Sequence, residues 1–326
     1  MLKPLFLSLL CLPIWAQKTD TTALDAQAAE LRALVQQSPK LALEKTVVNI
    51  RPPGPGWGIG FPSSVAMDRN GLIYVLQRHE EPGRPPVVGN ADPVIVVNRE
   101  GKVLRSWGTG MFKIPHSIRV DPKGNIWTVD AASSLVFKFT PEGKKLMEIS
   151  VGGQPATKSG FNGTTDIAFA PNGHLFISDG YGNARILEYT ADGKRLREWG
   201  SAGTGPGQFH QPHGIAIDDE SVIYVADRQN GRLQRFDIEG RFLGEWANLG
   251  MVTTVAVIGG DLWIGTQQRN EPTSGPGWLM KIDRRSGKIL GYVDSAHGHH
   301  VVNATKDGEL VSGARPDTVL WFRPAQ

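Results

Sequence analysis

HSIRVDPKGNIWTVD, residues 116–130, decides the fold, because the chain carries six versions of it. Aligned on the central turn, the others are SSVAMDRNGLIYVLQ (63–77), TDIAFAPNGHLFISD (165–179), HGIAIDDESVIYVAD (213–227), TTVAVIGGDLWIGTQ (253–267) and HVVNATKDGELVSGA (300–314). Apolar and polar residues alternate on both sides of a turn rich in Gly and Asp, which is the period of paired strands rather than of a helix. Further β-branched and aromatic runs follow each copy, such as ARILEYT (184–190) and KRLREWG (194–200). Four short strands every ~45 residues, six times over, predict an all-β chain, a six-bladed β-propeller over residues 46–324. The sixth copy lacks a fourth strand after Thr318–Arg323, and the isolated run TVVNI (46–50) is placed to supply it. An N-terminal strand completing the last blade would close the ring and remove its open edges.

Composition narrows the chemistry. Of 326 residues 39 are Gly and 22 are Pro, an excess that the turns of such a fold absorb. Lys and Arg number 35 against 32 Asp and Glu, a net +3 with no basic block, so nucleic acid and anionic membrane are not expected partners. A single cysteine, Cys11, excludes a disulfide framework, a zinc knuckle, an iron–sulfur cluster and a thiol nucleophile in the processed chain. Residues 1–16, MLKPLFLSLLCLPIWA, combine basic Lys3, an apolar run and a small residue, Ala16, and read as a secretory signal peptide. The apolar run falls short of the ~20 residues that span a bilayer. The protein is therefore expected to be secreted or periplasmic, without a membrane span, and monomeric. Residues 17–45 read as a helical segment and linker packed outside the propeller, with Leu31, Leu34 and Val35 at helical spacing.

The repeat register also locates the chemistry. The first strand of a propeller blade lines the central channel, and the opening slot of the six copies holds Ser63, His116, Thr165, His213, Thr253 and His300. Histidine thus occupies alternate blades, so three imidazoles converge on the axis as a metal site. Three neutral imidazoles with no protein fourth ligand suit a catalytic zinc with an open position, although iron, cobalt and copper accept the same donors. Fifteen residues on, at the same mouth, the slot reads Arg78, Ala131, Gly180, Arg228, Gln268 and Arg315. Arg78, Arg228 and Arg315 are candidates to bind a substrate carboxylate through their guanidinium forks. Tyr181 lies one position beyond that slot in blade 3, where a phenol near a metal and arginines can serve as a base. His297 and His299 flank His300, and Asp130, Asp179 and Asp227 read as structural turn caps.

The stretch DGYGNARILEYTADGKRLREWG (179–200), with GPGQFHQPHGIAI (205–217) and VADRQNGRLQRF (225–236), resembles the catalytic core of peptidylglycine alpha-amidating lyase, within the wider NHL-repeat propellers. The resemblance covers residues ~50–323. It implies a zinc lyase that splits a peptidyl-α-hydroxyglycine into an amide and glyoxylate. It further implies His116, His213 and His300 as zinc ligands, Arg78 and Arg228 as catalytic-site arginines, and Tyr181 as the catalytic tyrosine. The expected partner is then a small-molecule or peptide α-hydroxy acid. The family's structural calcium is served by an aspartate where Val301 stands here, and its disulfides have no counterpart, with Gly182 and Arg235 at two of the cysteine positions. Arg315 rests on the repeat register alone. Two other readings of the same sequence are a non-enzymatic propeller that binds a protein or glycan, and a lactonase-like propeller hydrolase. The second needs axial carboxylates that the six opening slots lack.

Overall fold

The second strand of each repeat shows how the blades cohere. In Ile126–Asp130 every residue is buried, and alternate side chains serve different neighbours: Ile126 joins an apolar cluster shared with blade 1, Trp127 and Val129 one shared with blade 3. The period of two thus places one strand in two cores at once. Six such clusters, one at each blade interface, form the interior.

The computed structural model describes residues 21–79, 89–153, 161–267, 277–295, 300–305, 307–315 and 317–324. Six four-stranded antiparallel sheets form a six-bladed propeller. The innermost strands of blades 1 to 6 are Phe61–Met67, Pro115–Val120, Thr164–Phe169, Pro212–Ile217, Met251–Ile258 and Val302–Ala304. They succeed one another around the axis, and the sixth packs beside the first. In the sixth sheet the outermost strand is Leu43–Asn49, paired antiparallel with Thr318–Pro324 so that Leu43 faces Pro324 and Asn49 faces Thr318. That strand begins at Leu43 rather than at the Thr46 expected from the sequence.

The turn between the first two strands is a recurrent hydrogen-bonded device. Asp121 Oδ1 accepts the backbone N–H groups of Lys123 and Asn125, while Oδ2 accepts Trp127 Nε1–H at 3.0 Å. Asp68 with Tyr74, and Asp218 with Tyr224, repeat the arrangement. In blade 3 both partners change together, to Ala170 and Phe176, so no polar group is stranded. Gly71 and Gly124 end their turns at φ +78° and +86°, the left-handed region that glycine enters freely. Ser221 occupies that slot in blade 4 at φ +64°.

The helix Thr21–Gln37 lies against the interface of blades 4 and 5, burying Leu31 and Val35 beside Leu249 and Val252. Leu34, grouped with them by spacing, faces solvent. Beyond the helix, the chain pairs with the outer strand of blade 5 through Leu41 N–H to Tyr292 O and Tyr292 N–H to Pro39 O, then crosses to blade 6. No described helix is long and apolar enough to cross a membrane.

Candidate metal centre

His116, His213 and His300 open blades 2, 4 and 6, and the intervening blades hold them in place. His116 Nδ1 lies 2.6 Å from Thr165 O, His213 Nδ1 2.6 Å from Thr253 O, and His300 Nδ1 2.8 Å from Ser63 O. Each acceptor is the opening residue of the next blade. A carbonyl oxygen can only accept, so each Nδ1 carries the proton and each Nε2 retains its lone pair. The three rings stand edge to face with centroids 4.6, 4.9 and 4.9 Å apart. Their ligand atoms lie within 4.8 Å of one another, and no other such His, Cys, Asp or Glu group occurs among the described residues. Burial first, then neighbouring His300, holds the His116 and His213 imidazoles well below their ordinary pKa, with Arg78 acting on His116 and Arg228 on His213 in the same direction.

Tyr181 is positioned by the two glycines that flank it. A Cβ on Gly180 would lie 2.0 Å from Pro212 O, and one on Gly182 would lie 2.0 Å from Asn162 O. The turn after strand Leu175–Asp179 can therefore pass tightly between neighbouring blades and direct the phenol inward. Its hydroxyl is 2.9 Å from His116 Nε2 and 3.0 Å from His213 Nε2. One phenol proton cannot satisfy two imidazole lone pairs. The donor set fits a transition-metal cation, which would accept both.

The arginines approach the same place. Arg228 begins a short 3-10 turn after Ile223–Asp227, and its Nη1 and Nη2 donate to Gln211 Oε1 at 3.3 Å and Gln267 Oε1 at 3.1 Å. Its partners are thus amides rather than carboxylates, and burial pulls its pKa down. A buried guanidinium held this way is suited to an anion. Arg78, also buried, donates from Nη1 to Pro115 O at 3.1 Å and lies 5.6 Å from the centre of the Phe161 ring. Arg315 ends the strand Leu310–Arg315, but its side chain lies outside the described residues, as do His297 and His299.

Asp130, Asp179 and Asp227 face the turns. Asp130 Oδ2 accepts Lys113 and Ile114 N–H, Asp227 Oδ1 accepts His210 N–H, and Asp179 Oδ2 pairs with Arg185 at 2.8 Å. Other contributors escaped the sequence reading. Phe161 packs against Tyr181 from outside the repeat register, with ring centroids 4.6 Å apart and planes tilted by 42°. Thr165, Thr253 and Ser63 contribute through backbone carbonyls, and their only sequence signal is that a small hydroxyl residue fills every opening slot lacking histidine.

A family model described as a 6-bladed beta-propeller matches residues 161–293. The chain is 28% identical over 298 residues to the probable peptidyl-alpha-hydroxyglycine alpha-amidating lyase pgal-1 of Caenorhabditis elegans, covering 82% of this chain and 84% of that protein. It is 37% identical over 218 residues to peptidyl-alpha-hydroxyglycine alpha-amidating lyase 1 of Drosophila melanogaster, covering 58% of this chain but 40% of that protein. The crystal structure of virginiamycin B lyase from Staphylococcus aureus shares the fold, with a TM-score of 0.55 at 16% identity over 86% of this chain and 99% of that one. The chain therefore resembles the amidating lyases, as its motifs indicated.

Proposed function

We propose that the protein is an exported zinc-dependent lyase that cleaves the C–N bond of an N-acyl α-hydroxy acid to give an amide and glyoxylate. The observation that carries this reading is the meeting of three Nδ1-protonated imidazoles with a single phenol, beside a buried arginine whose described partners are amides. Its amidating-lyase relatives support the same reading. Bound at His116, His213 and His300, the metal would supply Lewis-acid polarisation of the substrate hydroxyl.

The chain's own residues divide the remaining work. Arg228 and Arg78 bind the substrate carboxylate, which orients the α-carbon toward the histidines. Tyr181, as phenolate, takes the hydroxyl proton while the C–O bond becomes a carbonyl. The electron pair of the breaking C–N bond passes to the amide nitrogen, and the proton from Tyr181 completes the amide. Phe161, tilted against Tyr181, packs on the ring that carries this proton. Glyoxylate release from α-hydroxyhippurate, measured on protein with and without added zinc, tests the assignment. Metal-dependent release is expected. Stoichiometric zinc without any release would leave a binding propeller as the better description.

A further inference from the structure

Below the histidines the channel is filled by a polar cluster that the proposed reaction does not use. The fourth position of the repeat, three residues past each opening slot, is Ala66, Ala168, Ala216 and Ala256 in four blades, but Arg119 in blade 2 and Asn303 in blade 6. Both exceptions lie three residues beyond a histidine. Arg119 is buried and forks onto Asp166 of blade 3, with Nε donating to Oδ1 at 2.9 Å and Nη2 to Oδ2. Its Nη1 donates to Val302 O at 3.1 Å and to Asn303 Oδ1. Asn303 Nδ2 in turn donates to Val65 O at 2.7 Å and Ile118 O at 3.1 Å.

Asp166 is linked to the surroundings of all three histidines, twice directly and once through Arg119. Ser117, next to His116, donates Oγ–H to Asp166 Oδ1 at 2.6 Å. Ile215, two residues past His213, donates N–H to Oδ2 at 3.3 Å. Val302, two residues past His300, is reached through Arg119. Asp166 also follows Thr165, whose carbonyl orients His116. The corresponding side chains in blades 1 and 5 are the hydroxyls of Ser64 and Thr254, which accept the N–H groups of Ile118 and Val302 at 3.1 and 3.2 Å. Blade 3 alone of these three places a carboxylate in that position, and Arg119 is its counter-charge.

We propose that Arg119 and Asp166, with Asn303, are positioning residues that fix the spacing of the three histidine-bearing strands. The inference rests on reading His116, His213 and His300 as a metal centre. A planar fork fixes both distance and orientation between two strands, which a point contact cannot do. Removing such outer contacts typically weakens metal binding 10- to 100-fold.

The test separates positioning from simple stability. Removing one charge strands the other, whereas replacing both with apolar residues of similar volume can leave a fold intact. The double variant Arg119→Met, Asp166→Leu is therefore expected to melt cooperatively. Its Co2+ affinity, titrated against a chelator, should fall 10- to 100-fold, with an altered d–d spectrum. Wild-type affinity and spectrum in a folded double variant would overturn the proposal. Should that variant fail to fold, Arg119→Lys keeps the charge without the fork, and an affinity loss of at least several-fold is expected. An unchanged value there would also refute it. If the wild-type protein binds no metal, the metal reading fails by itself. The proposal is then judged on the downfield imidazole Nδ1–H resonances of the metal-free protein, which must shift in either variant.

Discussion

At the residue scale, the division of labour is sharpest at Tyr181 and Arg228. Tyr181→Phe keeps the ring packed against Phe161 and removes only the hydroxyl that faces two imidazoles. Turnover should drop on the order of 10²–10⁴-fold, the usual size of a general acid–base contribution, while zinc content measured by mass spectrometry stays stoichiometric. His213→Ala should lose both together, because a two-histidine remnant lacks a closed ligand set. Arg228→Gln should act on binding: KM for a carboxylate-bearing substrate rises at least tenfold, with a much smaller effect on an analogue whose carboxylate is amidated. A proportional loss for both substrates would assign Arg228 a purely structural role. These residues were legible in the sequence because each occupies or adjoins a fixed slot of the repeat. The Arg119–Asp166 pair was not. Its members stand at different offsets in different blades, and only closure of the ring brings them together.

At the scale of the element, the turn between the first two strands shows how much a repeat conceals by varying. The Asp and its aromatic partner six residues on stabilise the hairpin in blades 1, 2 and 4, and their joint replacement in blade 3 avoids a buried unpaired group. Burial, followed by effects of the neighbouring carboxylate, pushes the Tyr74 and Tyr224 phenols upward, so both stay neutral donors. Ser221→Gly should stabilise the protein by ~0.5–1 kcal/mol in thermal or denaturant unfolding, since it relieves a left-handed residue at some cost in unfolded-chain entropy. A destabilised variant would show that the Ser221 side chain contributes more than its strained backbone costs. A second rule links elements of neighbouring blades: Trp107, Trp199 and Trp246 each lie against a glycine of the next blade, at Gly143, Gly240 and Gly287. A Cβ on Gly287 would stand 2.2 Å from the Trp246 ring, so the ring would have to shift to admit it. Sequence periodicity identified these strands but not those contacts, which depend on the angle between blades. It likewise grouped Leu34 with Leu31 and Val35, although the helix can bury only the narrow face that meets blades 4 and 5.

Across the whole molecule, odd and even blades have different tasks. Even blades bring histidines to the axis, and odd blades supply the carbonyls that orient them. A sixfold backbone thereby acquires an approximately threefold centre, a pattern legible in the alternation of His with Ser or Thr along the sequence. The N-terminal segment is integral to this assembly, because Leu31 and Val35 are almost fully buried and Leu43–Asn49 covers the edge of blade 6. Leu31→Ala should cost about 2–5 kcal/mol in denaturant unfolding, like other deeply buried leucines. A much smaller loss would mean that the helix is not held in solution as it is here.

The pairing of Leu43 with Pro324 also orders events in time. Five blades are made of strands consecutive in sequence, so they can form before the sixth is complete. The sixth must wait for Thr318–Pro324 and then recover Leu43–Asn49 across more than two hundred residues, the slowest kind of contact to establish. A chain stopped short of Thr318 would hold most of its strands and still lack its final seam.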